Sequence, residues 1–130
     1  MNTLRLLASG GLVASLFFGS LCFASEVTTK TVIYQMAEIM HRLKHFPSPQ
    51  GKKELQTIID ASGTTANERI IAKAMMNLEH HPAPQDIPLL QKVLDDKAST
   101  NGEREIASIV LNLNHRPTPQ DKYRLKELMK

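Results

Sequence analysis

Apolar side chains recur along this chain at the spacing of amphipathic helices. In two segments the apolar positions are separated by four residues and then by three, as in Ile71, Met75, Leu78 and in Ile106, Val110, Leu113. This spacing places the side chains of each segment on one face of an α-helix. Strict alternation of apolar and polar residues, which is typical of a half-buried strand, does not occur. The pattern therefore predicts an all-α protein.

One sequence unit occurs three times with a period of 35 residues. The most conspicuous part is His-x-Pro-x-Pro-Gln, which reads HFPSPQ from His45, HHPAPQ from His80 and HRPTPQ from His115. Apolar columns keep the same register, including one made of Ala37, Ala72 and Ala107. Agreement at so many positions indicates an internal repeat of one structural unit.

Each unit is predicted to be a helix, a proline turn and a second helix. Capping boxes mark two starts of the first helix, at Thr65-x-x-Glu68 and Thr100-x-x-Glu103. The first proline of the motif ends that helix, and the second begins the next one after a capping hydroxyl, as in Thr118-Pro119. In the second unit Ala83 cannot cap, so a later start is expected, with Asp86 as the cap and Pro88 in the first turn.

Six helices follow from these signals, at approximately 28–45, 49–60, 66–80, 86–96, 101–115 and 119–129. They form three stacked 35-residue helical hairpins, covering about 28–60, 66–96 and 101–130. Such hairpins bury their apolar faces on one another. The sequence leaves two arrangements open, a short α-solenoid and a compact six-helix array.

The hairpin length and the proline after one helix resemble the tetratricopeptide class and, more loosely, HEAT-type repeats. The resemblance covers residues 28–130 in period and proline placement. The tetratricopeptide pattern of Trp, Leu-Gly, Tyr, Ala and Phe is not matched, and the chain has no tryptophan. No binding residue of that family is therefore assigned to a position here, and the resemblance implies only a surface presented to another protein.

The first 24 residues have the pattern of a cleavable signal peptide. A basic residue, Arg5, precedes an apolar stretch at 6–18, and Cys22-Phe23-Ala24 supplies small residues at the cleavage site. The predicted domains are thus a signal peptide at 1–24 and a helical repeat domain at 25–130. An uncleaved anchor at 6–24 is the alternative. Export is expected in both cases, to the periplasm of a Gram-negative bacterium and otherwise outside the cell, with no integral membrane segment after cleavage.

Composition argues against several classes of function. Sixteen basic and 13 acidic residues give a formal net charge of +3, and the two signs are interspersed. This balance does not favour nucleic-acid binding. The single cysteine lies in the predicted signal, and no phosphate-binding glycine loop or His-Glu-x-x-His motif is present. The chain is accordingly predicted not to be an enzyme and to need no cofactor.

The histidine column carries the main candidate chemistry. His45, His80 and His115 are predicted to lie at equivalent helix C-termini, about 10 Å apart as in stacked helix layers. At that distance each would bond the last carbonyls of its own helix. The alternative is a periplasmic zinc- or copper-binding protein using His41, His45, His80 and His81.

The favoured interpretation is an exported, non-catalytic scaffold that binds a protein or peptide partner. The predicted contact surface is the His-x-Pro edge, which consists of Phe46, His81 and Arg116 together with His45, His80 and His115. A third hypothesis is self-association through the outer faces of the first and last hairpins.

Overall fold

The computed structural model describes residues 30–130, which form six helices. These are α1 (Val32–Arg42), α2 (Pro49–Asp60), α3 (Ala66–Met76), α4 (Ile87–Asp95), α5 (Asn101–Leu111) and α6 (Pro119–Leu128). Within these residues there is no strand, which confirms the all-α prediction. The predicted signal peptide at 1–24 lies outside the described residues, as does residue 28, where the first helix was predicted to begin. Over the described part, no helix combines the length and apolar character required to span a membrane.

The predicted starts of α2, α3, α5 and α6 are confirmed, whereas α1 begins at Val32, after a Thr31 cap, and not at residue 28. Thr65 Oγ1 accepts from the Glu68 amide at 3.0 Å, while the Glu68 carboxylate accepts from the Thr65 amide at 2.8 Å. The same reciprocal pair forms at α5, and at α6 between Thr118 and Asp121. Each pair satisfies two backbone donors that a helix N-terminus leaves without intrahelical partners.

Helix α4 begins late, as expected, with Asp86 at the cap position and Pro88 in the first turn. The Asp86 carboxylate makes no capping hydrogen bond. It is buried and accepts instead from the side-chain amide of Asn77 at 2.9 Å. Asp86 therefore ties the start of α4 to the end of α3 within one hairpin.

The predicted ends of α1, α3 and α5 were wrong by three or four residues. These helices end at Arg42, Met76 and Leu111, and not at the column histidines. The apolar period misled the prediction because Leu78 and Leu113 are buried although the backbone has already left the helix before them. The histidines consequently lie in the turns between paired helices.

The hairpins close into a ring. Helices α1, α3 and α5 contact one another around a common axis, and α2, α4 and α6 lie outside them. Each outer helix packs most extensively on the first helix of the next hairpin: α2 on α3, α4 on α5, and α6 back on α1. The arrangement has approximate threefold symmetry, so the compact six-helix array is the alternative observed.

Inner-helix residues form the core along this axis. The columns that are fully buried contain Met36, Ile71 and Ile106, then Ala37, Ala72 and Ala107, then Met40, Met75 and Val110. Small side chains in the alanine column let the inner helices approach one another. The buried methionines act as apolar filler, a normal use of this residue.

At the N-terminal ends of the inner helices, neighbouring hairpins are joined by specific contacts. Thr65 Oγ1 donates to the Glu103 carboxylate at 2.7 Å, which links the cap of α3 to the first turn of α5. Glu103 is 2% exposed. Between α5 and α1, a Cβ atom added at Gly102 would lie 2.8 Å from Ile33 Cγ2, so the two helices leave no room for a side chain there.

Candidate functional site: a three-histidine cluster

The column histidines meet at the opposite end of the axis, beyond the C-termini of the inner helices. Backbone hydrogen bonds connect successive turns: the His80 amide donates to the His45 carbonyl at 3.0 Å, and the His115 amide donates to the His80 carbonyl at 2.6 Å. The three turns are therefore fixed to one another through the main chain.

Two of these histidines adopt a left-handed backbone conformation, with φ of 67° at His80 and 63° at His115. Such a conformation is uncommon for residues other than glycine, although histidine is several-fold enriched in it. A residue held there cannot continue a right-handed helix. His45 is not in this conformation, so the first turn differs from the other two.

The imidazole rings form one compact group. Ring centroids are 5.0 Å apart for His45 and His80, 4.9 Å for His80 and His115, and 6.0 Å for His45 and His115. The Nδ1 atoms of His80 and His115 are 3.0 Å apart and share a hydrogen bond. The predicted separation of about 10 Å was therefore wrong, because it assumed an open stack of helix layers and not a ring.

This group has the donor set of a transition-metal site. One ring nitrogen from each histidine lies within 4.8 Å of the other two, and all three side chains are exposed. Zinc binds imidazole nitrogen at about 2.0–2.1 Å, which separates two nitrogens of a tetrahedral site by about 3.3 Å. The rings need to close by no more than about 1.5 Å to reach that geometry.

The helix dipoles contribute negative potential at this position. The C-terminal ends of α1, α3 and α5 converge on the turns that carry the histidines. Each helix C-terminus bears a partial negative charge equivalent to roughly half an electron. In the described part of the chain, no other group of histidine, cysteine and carboxylate side chains has this geometry.

Of the remaining histidines, His41 is not a member of the cluster. It is half-buried near the end of α1. Burial, together with the positive charges of Lys126 and Lys122 on α6, lowers the pKa of His41 below its usual value. His41 therefore lies against α6, whereas His115, which the metal hypothesis left out, takes its place in the cluster.

The predicted contact residues Phe46, His81 and Arg116 form a rim around the three-histidine cluster. Each directly follows a cluster histidine, and all three are exposed. Phe46 is 60% exposed and lines a groove of about 430 Å³ beside the first turn. The His81 ring lies 5.3 Å from that of His115. The rim thus presents an apolar, an imidazole and a cationic side chain at three equivalent positions.

The described residues form an all-helical domain of six helices. Comparison of the chain with protein-family models, with curated proteins and with solved structures finds no match.

Proposed function

We propose that the chain is an exported metal-binding protein whose three-histidine cluster holds one divalent transition-metal ion, zinc or copper. The observation that carries the proposal is the approach of three imidazole nitrogens to within 4.8 Å of one another. Export of this centre from the cytoplasm is part of the proposal and rests on the signal-peptide pattern predicted at 1–24.

The identity of the ligands supports this class of ion. Imidazole nitrogen suits zinc, copper, nickel and iron, whereas calcium and magnesium prefer oxygen. His80 and His115 Nδ1 atoms, 3.0 Å apart, are already close to the spacing that two ligands of one zinc ion need, about 3.3 Å. A metal ion would replace the proton that the two rings share.

The exposure of the site indicates an exchangeable ion more than a structural one. The cluster histidines are all exposed, so an ion can enter and leave without unfolding the ring. Binding and delivery of a metal ion fit this arrangement.

A purely structural role for the histidines is the competing explanation. Packed imidazoles and the hydrogen bond between His80 and His115 would then only join the turns. The two roles differ in the expected affinity: histidines that only join the turns bind metal weakly, whereas a metal site binds it tightly and is stabilised by it.

Calorimetric titration with zinc and with copper(II) tests the proposal, using the exported protein purified without a histidine tag. One ion per chain is expected, and His45→Ala, His80→Ala and His115→Ala should each weaken binding. His41→Gln is the matched control, because it removes a histidine outside the cluster and should bind as the parent does. Metal at 100 times its Kd should also stabilise the fold by about 2.7 kcal/mol. Binding that the three alanine variants leave unchanged would exclude the cluster as the site.

A second candidate is binding of a protein or peptide partner at the His-x-Pro edge. It is supported by the 60% exposure of Phe46 and by the groove of about 430 Å³ beside it. The resemblance to tetratricopeptide repeats points to the same use. A photoreactive phenylalanine analogue at position 46 should crosslink the partner in the exported fraction, whereas the same analogue at Tyr123, which is 65% exposed on α6, should not. Equal labelling from both positions would count against a specific surface.

Self-association stays a prediction, with one new constraint. The first and last hairpins pack against each other through α1 and α6. The faces on which the sequence predicted that copies would stack are therefore in mutual contact within one chain.

A further inference from the structure

His81 stands next to the cluster in a defined orientation. Its ring lies 5.3 Å from that of His115, at an interplanar angle of 57°. Its Nδ1 atom is 3.3 Å from the carbonyl oxygen of Leu113. A carbonyl only accepts, so the neutral ring donates from Nδ1 and keeps the lone pair on Nε2.

This contact is of the kind that prepares histidine for coordination. Metal-bound histidines almost always donate their second ring nitrogen to a carbonyl, a carboxylate or water, which fixes the tautomer and the ring orientation. The bond from His81 to the Leu113 carbonyl is a contact of this kind. His81 Nε2 is the atom left free to bind.

Each repeat occupies one sector around the axis, and only the sector of repeat two carries an imidazole at this position. Phe46 and Arg116 occupy the positions equivalent to His81 in the other two repeats, and neither can act as a nitrogen ligand here. Repeats two and three have the same turn, with an isolated bridge between Glu79 and His81 and another between Asn114 and Arg116. The backbone of the turn itself is therefore alike in repeats two and three.

We infer that His81 is the fourth protein ligand of the ion held by His45, His80 and His115. This inference rests on the proposed metal-binding function. In the described residues the nitrogens within 4.8 Å of one another belong to His45, His80 and His115, and the His81 ring lies beside that of His115. Coordination by His81 therefore requires its side chain to rotate so that Nε2 approaches the other three nitrogens. The completed set of four neutral imidazoles suits copper(II) in a tetragonal site and zinc in a tetrahedral one.

The test counts imidazole ligands and measures affinity in the same variants. His81→Phe introduces the side chain found at the equivalent position of repeat one, so it keeps an aromatic ring beside His115. X-ray absorption of the copper(II) protein should show four imidazoles in the parent and three in this variant. Loss of a contact that merely orients a ligand costs tenfold to hundredfold in affinity, so loss of a ligand should cost at least about tenfold.

An exchange between repeats provides the matched control. His81→Arg combined with Arg116→His preserves composition and net charge, and moves the imidazole into a sector with the same turn. The single change His81→Arg should lower copper affinity at least about tenfold, and the double exchange should recover a large part of that loss. Circular dichroism with chelator present confirms that each variant is folded.

The outcomes separate the two proposals. A parent protein that binds neither zinc nor copper(II) overturns the metal-binding function and this inference with it. Parent binding that requires His45, His80 and His115, combined with an unchanged affinity and ligand count in His81→Phe, overturns the fourth ligand and leaves the three-histidine site standing. Recovery of affinity by the double exchange, relative to His81→Arg alone, would support a fourth imidazole ligand on this side of the cluster.

Discussion

Two of the three cluster histidines have a left-handed backbone. We therefore predict that the glycine variant is more stable than the alanine variant at these two positions, and less stable at the third. His80 and His115 have φ of 67° and 63°, whereas His45 is not in the left-handed region. Replacing any of them by glycine or by alanine removes the imidazole in both cases. Lost ring contacts therefore cancel when the two variants at one position are compared, and only the backbone preference remains.

The magnitude follows from two opposing effects. The left-handed conformation costs a residue with a Cβ about 1–2 kcal/mol. Glycine avoids that cost but loses more conformational entropy on folding, which favours alanine by about 0.4–1 kcal/mol wherever both fit. His80→Gly should thus be more stable than His80→Ala, by roughly 1 kcal/mol. At His45 the order should reverse, and the change between the two positions should be about 1–2 kcal/mol.

Urea unfolding of the metal-free protein, followed by circular dichroism with chelator present, measures these differences. A free-energy change of 1 kcal/mol moves the Tm of a domain of this size by about 4–8 °C, so thermal melts give an independent check. His115 should behave as His80 does. Alanine more stable than glycine at all three positions would refute the left-handed turns, and with them the backbone geometry that brings the imidazoles together.

Three further predictions concern the ring and its ends. Gly102→Ala should lower Tm despite the higher helix propensity of alanine, since the new Cβ would lie 2.8 Å from Ile33 Cγ2. The same change should lower Tm less in an Ile33→Ala background, and an equal loss in both backgrounds would contradict this contact. In urea titrations Glu103→Ala should destabilise the fold by about 1 kcal/mol more than Glu68→Ala. Both changes remove a capping box, but only Glu103 also accepts a hydrogen bond from Thr65 of the neighbouring hairpin, so equal losses would contradict that contact. The pKa of His41 is lowered below 6.5, so the native state takes up its proton less readily than the unfolded chain and stability falls as pH drops below 6.5. His41→Gln should therefore reduce the difference between urea midpoints measured with chelator at about pH 5 and about pH 7.5, and an unchanged difference would show that other groups cause it.

Local signals in the sequence predicted the local structure well. A capping box joins residues three positions apart, so Thr65 with Glu68 could be recognised without knowing the tertiary arrangement. The late start of α4 followed in the same way from the absence of a hydroxyl at Ala83 and the presence of Pro88. Helix ends were harder to place, because the apolar period runs through Leu78 after the helix has ended.

The candidate site depended on information that local patterns do not contain. The repeat period placed His45, His80 and His115 in one column, but it did not state whether equivalent positions lie side by side in a stack or meet at an axis. The packing of α6 against α1 decides between these arrangements, and it joins the two ends of the described chain. The small number of repeats favours the ring, because three short hairpins that close bury the two outer faces that an open stack leaves in water.

Closure has a consequence for how such a centre could arise during evolution. In an open array, copying a hairpin once more lengthens the row and leaves earlier units as they were. In a ring, the number of repeats equals the number of imidazoles that face one another. Two duplications of a hairpin with one histidine therefore bring three imidazoles together without any further substitution. A fourth unit would have to separate α6 from α1 and move the imidazoles apart, and this geometry therefore ties the number of clustered imidazoles to the number of duplicated units.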